Sequence, residues 1–238
     1  MDMEVKDIVN KFKEYILGSE IKDKIAKIIL FGSHAKGTAT IDSDIDILVF
    51  TIDGEDVEKS LMDSVYDYML AHDVPIEVIT ASIDDLFLSQ DFFVYNVTHH
   101  GVEIYSMEKD DMKKIMVRDL VQLAEEYRES ARDVLQMNRI RLAIDAAYNA
   151  AELATKALIL LKEDDLPGSH GGVVSLFGQL YIKTKELDFE LGRNLHLALK
   201  LRNEARYKPH AILSRAEAEH ILELAADLIS IALERNKA

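Results

Sequence analysis

The residues best suited to chemistry lie in one short stretch, residues 28–50. Gly32 and Ser33 follow a run of apolar, β-branched residues, and Gly37 comes shortly after them. Glycine allows the chain to turn sharply after a strand, and Ser33 is predicted to be the N-cap of a short helix that Gly37 ends. Backbone N–H groups at such a helix start, together with the serine hydroxyl, bind phosphate oxygens. The stretch therefore predicts a phosphate-binding turn.

Acidic side chains follow this turn at the spacing of a strand. Asp44 and Asp46 alternate with isoleucines, so both carboxylates are predicted to lie on one face of a strand. Glu77 also lies between apolar residues, and it would join the aspartates if its strand were their neighbour. Close carboxylates repel each other unless a divalent cation binds between them. Each feature alone is more often structural than catalytic, but their order and spacing together indicate a metal site beside the turn.

The elements that must position these residues are predicted from the pattern of apolar residues. Runs of β-branched and aromatic residues predict strands over residues 27–31, 45–51, 75–80 and 102–105, with a helix over 57–70. After residue 110 the apolar residues recur at helical spacing. These helices are predicted over residues 115–137, 140–161, 173–182, 191–201 and 216–233. The predicted fold class is an α+β domain with a small mixed sheet, residues 1–108, followed by an all-α antiparallel helix bundle, residues 109–238.

Composition excludes several classes of protein. The chain of 238 residues has no cysteine, so it has no disulfide, no thiol nucleophile and no cysteine-bound zinc. No apolar run approaches the roughly 18 residues that span a bilayer, and the first residues lack the pattern of a signal peptide. These features predict a cytoplasmic protein without a membrane partner.

The formal charge of −15 is unevenly distributed along the chain. Residues 1–108 carry 8 Lys and Arg against 22 Asp and Glu, whereas residues 109–238 carry 20 against 21. Binding to a polyanion requires a cationic surface, so the charge argues against nucleic acid as a partner. It also implies that a nucleotide binds to the first half only together with a metal ion.

The order Gly-Ser-x-x-x-Gly, then Ser-Asp-x-Asp on an apolar strand, resembles the signature of the DNA polymerase β-like nucleotidyltransferase superfamily, and in particular its minimal branch. The resemblance covers about residues 20–108. It implies that Gly32 and Ser33 hold the triphosphate of a nucleoside triphosphate, expected to be ATP. Lys36 and Ser43 complete the implied nucleotide-binding set, and Lys36 replaces an arginine that is common there.

The same resemblance implies the catalytic residues. Asp44 and Asp46 would bind Mg²⁺ or Mn²⁺, and Glu77 would be the third catalytic acid, which aligns the attacking hydroxyl group. Two-metal chemistry then transfers a nucleoside monophosphate to a hydroxyl acceptor and releases pyrophosphate.

The second half resembles the HEPN family of helical domains over about residues 138–236. The stretches that carry the resemblance are residues 143–158, 166–172 and 201–207. The pairing of a HEPN domain with a minimal nucleotidyltransferase domain is recurrent, and bundles of this family commonly form dimers, so the resemblance implies a homodimer.

Active ribonucleases of that family have four to six residues between an arginine and a histidine. In this chain the fifth residue after Arg202 is Tyr207. Seven residues separate Arg202 from His210, one more than the pattern allows. This departure argues against ribonuclease activity. It leaves Arg202, Arg206 and Lys208 near Tyr207 as a candidate anion-binding cluster, with ordinary solvated charges at a helix end as the alternative.

Other polar residues of the helical half have structural interpretations. Asp145, Asn149, Glu152 and Lys156 form a stripe at helical spacing, which predicts a solvated face. His170, in the sequence Ser-His-Gly-Gly, is predicted to mark the start of a helix rather than to act as a catalyst.

The sequence therefore predicts a metal-dependent nucleotidyltransferase whose helical domain forms part of the cleft for acceptor and nucleotide, as in the kanamycin nucleotidyltransferase-like enzymes that the arrangement resembles. The acceptor is expected to be a small molecule or a protein hydroxyl, and Tyr207 is a candidate self-acceptor. One alternative is a nucleotide sensor that has lost transfer activity. Another is a toxin–antitoxin module of the HEPN and minimal nucleotidyltransferase families, and the least favoured is a ribonuclease toxin.

Overall fold

The computed structural model describes residues 3–40, 43–52, 54–88 and 91–237. The chain divides into two compact units, Met1–Met112 and Lys113–Ala238. In the described part, no helix has the length and apolar character needed to cross a bilayer.

The first unit alternates helices and strands. Its elements are α1 (Met3–Leu17), β1 (Ile25–Leu30), α2 (Gly32–Lys36), β2 (Ile45–Thr51), α3 (Glu55–His72), β3 (Ile76–Ser82), α4 (Phe92–His100) and β4 (Val102–Ser106). The strands form a four-stranded sheet in the order β3-β2-β1-β4 within the described residues. β1 pairs antiparallel with β2 and β4, whereas β2 and β3 are parallel. The sheet is therefore mixed, which confirms the predicted fold class of this half.

Burial explains why β1 and β2 are the central strands. Their sequences, IAKIIL and IDILVFT, are almost continuously apolar, as expected for strands that are covered on both faces. Ile28, Ile47 and Val49 belong to the core that α1 and α3 share with the sheet. Phe12 of α1 and Leu61 of α3 are fully buried in the same core. The rigid centre of the sheet thus carries Asp46 at the end of β2 that is next to the turn.

Two helices of this unit, α1 and α4, are absent from the sequence predictions. α1 is amphipathic and buries Val9, Phe12 and Ile16, so its apolar spacing contained a usable signal. α4 begins after Asp91, whose carboxylate accepts hydrogen bonds from the backbone of Phe93 and Val94. This is a regular N-cap, and it also could have been recognised in the sequence.

The second unit is entirely helical in the described part. Its helices are α5 (Lys109–Gln136, which begins in the first unit), α6 (Ile140–Leu160), α7 (His170–Phe177), α8 (Phe189–Tyr207) and α9 (Arg215–Asn236). α6 packs against α7, α8 and α9 and is buried on most of its circumference. The helix predicted over residues 173–182 is in fact α7 followed by a π-helical turn, Gly178–Ile182. The remaining predicted helices are present, with ends that differ by at most six residues.

Candidate active site

The turn after β1 is built around close contact between Gly32 and Asp46. Gly32 has φ +68°, a left-handed conformation that favours glycine. A Cβ atom on Gly32 would lie 1.8 Å from Oδ2 of Asp46, which is far inside any allowed contact. The backbone N–H of Phe31 also donates a hydrogen bond to the carbonyl oxygen of Asp46, at 2.9 Å. The start of the turn and the carboxylate are therefore fixed against each other.

The short helix predicted in this turn is α2, but the predicted position of Ser33 was wrong by two residues. The N-cap of α2 is Phe31, and Ser33 lies in the first turn of the helix. The helix begins earlier than predicted because Gly32 is its first residue. Backbone N–H groups of a first helical turn have no partner within the helix, so Ser33 still offers such a group. Gly37 ends the helix, as predicted, in a left-handed conformation. Its backbone N–H donates a hydrogen bond to the carbonyl oxygen of Ser33.

The acidic residues come from two neighbouring parallel strands. Asp46 on β2 is opposite Glu77 on β3 in the register of the sheet. Adjacent strands lie about 4.8 Å apart and residues in register point to the same side, so the two carboxylates share one face. Asp46 is half-buried and Glu77 is exposed. Asp44 is exposed and lies just before β2, which begins at Ile45, so the prediction that Asp44 belongs to the strand was wrong.

The chain between the turn and β2 is held by hydrogen bonds. Nε2 of His34 donates to the carbonyl oxygen of Ser43 at 3.1 Å. The hydroxyl oxygen of Ser43 accepts from the backbone N–H of Thr40 at 2.9 Å. In this structure Ser43 therefore orders the approach to Asp44, and its predicted contact with a nucleotide remains a prediction.

The donor set of this site fits Mg²⁺ with a nucleotide. Asp44, Asp46 and Glu77 offer only oxygen atoms, the ligands that Mg²⁺ prefers. Within the described ranges, no group of three or more histidine and acidic side chains is arranged to hold a metal ion by itself. Mg²⁺ usually binds to one or two carboxylates together with substrate phosphates. Two aspartates beside a turn that is predicted to bind phosphate match that requirement.

A pocket of about 500 Å³ adjoins the turn. It lies between α2 and α4, and its lining includes Gly32, Lys36, Phe93, Asn96 and His100. Sequence reasoning identified Lys36 but missed the α4 residues, because α4 itself was not predicted. The N-cap Asp91 and the aromatic pair that follows it, Phe92 and Phe93, were the signals that the sequence offered for α4.

In the helical unit, the candidate anion-binding residues are already paired. Arg202 is only 4% exposed, and its Nε lies 3.4 Å from Oδ1 of Asp145. Nε of Arg206 lies 3.5 Å from the same oxygen, and Lys208 pairs with Glu204. Arg202 is therefore a buried member of an ion-pair network, whereas Arg206 and Lys208 are solvated charges near the end of α8, as in the alternative prediction. Tyr207, in contrast, is 69% exposed at the end of α8.

The prediction that Asp145, Asn149, Glu152 and Lys156 form a solvated face was wrong. Glu152 is 6% exposed and accepts a hydrogen bond from Nδ1 of His170, and Nζ of Lys156 lies 3.2 Å from it. α6 is surrounded by other helices, so even its polar stripe is covered. His170 is the first residue of α7, as predicted. Its contact with Glu152 gives it a second role in packing α7 against α6.

Burial alone would raise the pKa of Glu152. The hydrogen bond from His170 and the charge of Lys156 outweigh this effect and lower the pKa below its ordinary value of 4.5. The ionised carboxylate is therefore the form that stabilises the fold.

Replacing Glu152 by Ala is expected to destabilise the helical unit by about 3 kcal/mol at neutral pH, because it leaves partly buried charges unpaired. Since the pKa is lowered on folding, the contribution of Glu152 is full above pH 4.5 and is lost as the pH falls through the lowered value. Urea unfolding of wild type, Glu152→Ala and Glu152→Gln across this range is the measurement. The difference in stability between wild type and each variant should shrink below pH 4.5, and a constant difference would contradict the assignment.

Two family models match the chain in succession. The one described as a nucleotidyltransferase domain matches residues 9–116. The one described as the HEPN domain matches residues 117–236.

Relatives from Methanocaldococcus jannaschii have two kinds of provisional names. The provisionally named toxin MJ0142 is 32% identical over 103 residues, which are 43% of this chain and 69% of that protein. The provisionally named toxin MJ0605 is 31% identical over 134 residues, 54% of this chain and 95% of that protein. The provisionally named protein adenylyltransferase MJ0141 is 29% identical over 104 residues, 43% of this chain and 100% of that protein.

One solved structure aligns over almost the full length. It is spectinomycin adenyltransferase AAD(9) from Enterococcus faecialis with ATP and spectinomycin, covering 98% of this chain and 99% of that chain at 12% identity. The TM-score is 0.32, a value that supports no conclusion about the fold or activity of this chain.

The HEPN match extends over half of the chain, and the nucleotidyltransferase match accounts for the residues before it. The chain therefore belongs to the HEPN family and is a nucleotidyltransferase in which a HEPN domain follows the nucleotidyltransferase domain.

Proposed function

We propose that this chain transfers a nucleoside monophosphate from ATP to a hydroxyl group of a protein and releases pyrophosphate, with Mg²⁺ as its metal. The observation that carries the proposal is the arrangement around Asp46. Its carboxylate lies against Gly32 at the phosphate-binding turn and in register with Glu77 on the neighbouring strand. A carboxylate placed between a phosphate-binding turn and a second acid is suited to transfer between a triphosphate and an acceptor.

The residues of the chain have distinct roles in this reaction. The backbone N–H groups of the first turn of α2 and the ammonium group of Lys36 donate to oxygens of the β- and γ-phosphates. Glu77 accepts a hydrogen bond from the acceptor hydroxyl and takes its proton as the oxygen attacks the α-phosphorus. The new bond joins the acceptor oxygen to the α-phosphorus, and the bond to the pyrophosphate oxygen breaks.

Asp44 and Asp46 would hold Mg²⁺ beside the triphosphate. The metal, when bound, neutralises charge that develops on the phosphate oxygens. The carboxylates need this partner because the first 108 residues already carry a large excess of negative charge.

A protein acceptor is supported by the names of the relatives. One is provisionally named a protein adenylyltransferase, and others are provisionally named toxins. This chain combines a nucleotidyltransferase domain with a HEPN domain, so an acceptor in its own HEPN domain is a natural candidate. Tyr207 meets the steric requirement, because its ring is 69% exposed. The centre of the Arg202 guanidinium lies 6.0 Å from the centroid of that ring.

Incubation of the full chain with MgATP is expected to add one nucleoside monophosphate, located at Tyr207 by peptide mapping and mass spectrometry. Tyr207→Phe should lose the adduct. Tyr66→Phe is a matched control, because Tyr66 is also well exposed, at 62%, on α3. An adduct that persists in Tyr207→Phe would reject this residue as acceptor.

The same incubation distinguishes an enzyme from a sensor. Pyrophosphate release with transfer of label from α-labelled ATP supports the enzyme, whereas ATP binding without release supports a nucleotide sensor. The homodimer implied by the HEPN resemblance remains a prediction, and sedimentation of the full chain would test it.

A further inference from the structure

The pocket between α2 and α4 has the composition of a nucleobase site. Its walls are mainly apolar and include Phe31, Ala35, Phe93 and Val97. The rings of Phe31 and Phe93 are nearly perpendicular, at 84°, with centroids 5.4 Å apart. A planar ligand can therefore stack on one ring while its edge contacts the other. Its volume of about 500 Å³ lies in the range of small-molecule sites.

Asn96 provides a polar group with a fixed orientation in this apolar pocket. Its Nδ2 donates to the carbonyl oxygen of Phe92 at 3.1 Å. This bond orients the amide and leaves the second N–H and the carbonyl oxygen without partners in the part of the chain that the structure describes. A donor and an acceptor side by side match the N7 and N6 atoms of adenine, whereas guanine offers two acceptors at the same edge.

The position of the pocket assigns it to the nucleotide rather than to the acceptor. Gly32 lines the pocket. A Cβ atom on Gly32 would clash with the Asp46 carboxylate, so the pocket and the carboxylate are neighbours. Glu77, the proposed partner of the acceptor hydroxyl, is on β3, and β3 and β1 lie on opposite sides of β2. The β1 side of Asp46, where the pocket lies, is therefore left for the nucleotide.

We infer that this pocket binds the adenine base of the nucleotide and that Asn96 discriminates adenine from guanine. The inference rests on the proposed transfer from ATP, because it concerns the substrate of the same site. Phe31 and Phe93 supply stacking surfaces, and Lys36 at the rim lies on the path to the phosphates.

Adenosine and guanosine test the base site without phosphates and without metal. Titration of the full chain, followed by calorimetry or by saturation-transfer NMR, should show tighter binding of adenosine by about tenfold or more, the usual discrimination of one bidentate pair. Asn96→Asp should abolish the preference, because a carboxylate cannot donate to N7. Asn10→Asp, on α1 and outside the pocket, should retain it. Phe93→Leu keeps an apolar side chain but removes the aromatic ring, and it should weaken the binding of both nucleosides.

The outcomes separate this inference from the proposed function. Equal binding of the two nucleosides, or a preference that survives in Asn96→Asp, overturns the base site even if Asp46→Asn abolishes pyrophosphate release. Release that persists in Asp46→Asn overturns the proposed transfer, whereas adenosine binding in that variant would still support the base site. Binding of a protein acceptor, instead of adenosine, in this pocket would also overturn the inference.

Discussion

Asp46→Asn is expected to lower the rate of pyrophosphate release from MgATP by about a hundredfold to a thousandfold, the loss that follows removal of one group that stabilises transition-state charge. The substitution keeps the size of the side chain but removes its negative charge. The asparagine side chain would still fit against Gly32, so the turn should be preserved. The loss would therefore report the role of the carboxylate rather than a change in packing.

Two measurements and two further variants make this result interpretable. Pyrophosphate release is followed with a coupled assay, and thermal unfolding verifies that the variant is folded. Asp63→Asn is the matched control, since Asp63 lies on α3 of the same unit and away from the turn, and it should keep the wild-type rate. Asp44→Asn should resemble Asp46→Asn if both aspartates hold Mg²⁺. An Asp46→Asn variant that releases pyrophosphate at the wild-type rate would reject the proposed function.

The first unit illustrates what periodicity can predict. β2 was predicted because its apolar run is bounded by turn residues, and the sheet confirms its limits as Ile45–Thr51. Adjacency of β2 and β3 could not be derived from the sequence, because the alternation around Glu77 is the same for any strand partner. The register that places Glu77 opposite Asp46 is therefore information that only the folded structure provides.

In the helical unit, periodicity predicted solvent exposure for polar residues that are in fact covered by other helices. Polar residues four apart on a helix are compatible with solvent and equally with a buried ion-pair network. Glu152 became buried because α6 contacts α7, α8 and α9 at once. The pairing of Arg202 with Asp145 has the same origin, since it joins two helices that are far apart in sequence. Such contacts depend on the assembly of the bundle, which local spacing does not encode.

Gly32→Ala is expected to reduce pyrophosphate release about as strongly as Asp46→Asn, although it changes no charged group. The added Cβ would lie 1.8 Å from Oδ2 and 2.7 Å from Cγ of Asp46. The aspartate side chain must then rotate away from the turn, because the backbone of β2 is held in the centre of the sheet. Rotation of one side chain is less costly than disruption of the core, so activity should fall far more than stability.

Gly37→Ala separates steric displacement from backbone strain. Gly37 has φ +72°, close to the +68° of Gly32, but nothing lies within 4 Å of an added Cβ. Both substitutions should therefore cost about 1 kcal/mol or more of unfolding free energy from left-handed backbone strain. Only Gly32→Ala should also lower the rate of pyrophosphate release about as strongly as Asp46→Asn. Equal losses of activity in the two variants would show that strain in the turn, and not the position of Asp46, controls the reaction.

A double substitution completes the test of the contact between Gly32 and Asp46. In an Asp46→Ala background the carboxylate that Gly32→Ala would displace is absent, and only the Cβ atom of residue 46 remains, 3.1 Å from the added Cβ. If the two residues act through one contact, adding Gly32→Ala there should cost only the strain measured in Gly37→Ala. Urea unfolding gives this comparison without requiring activity. An additional loss of stability in the double variant would mean that Gly32 supports the turn through other neighbours, and the role assigned to its contact with Asp46 would have to be abandoned.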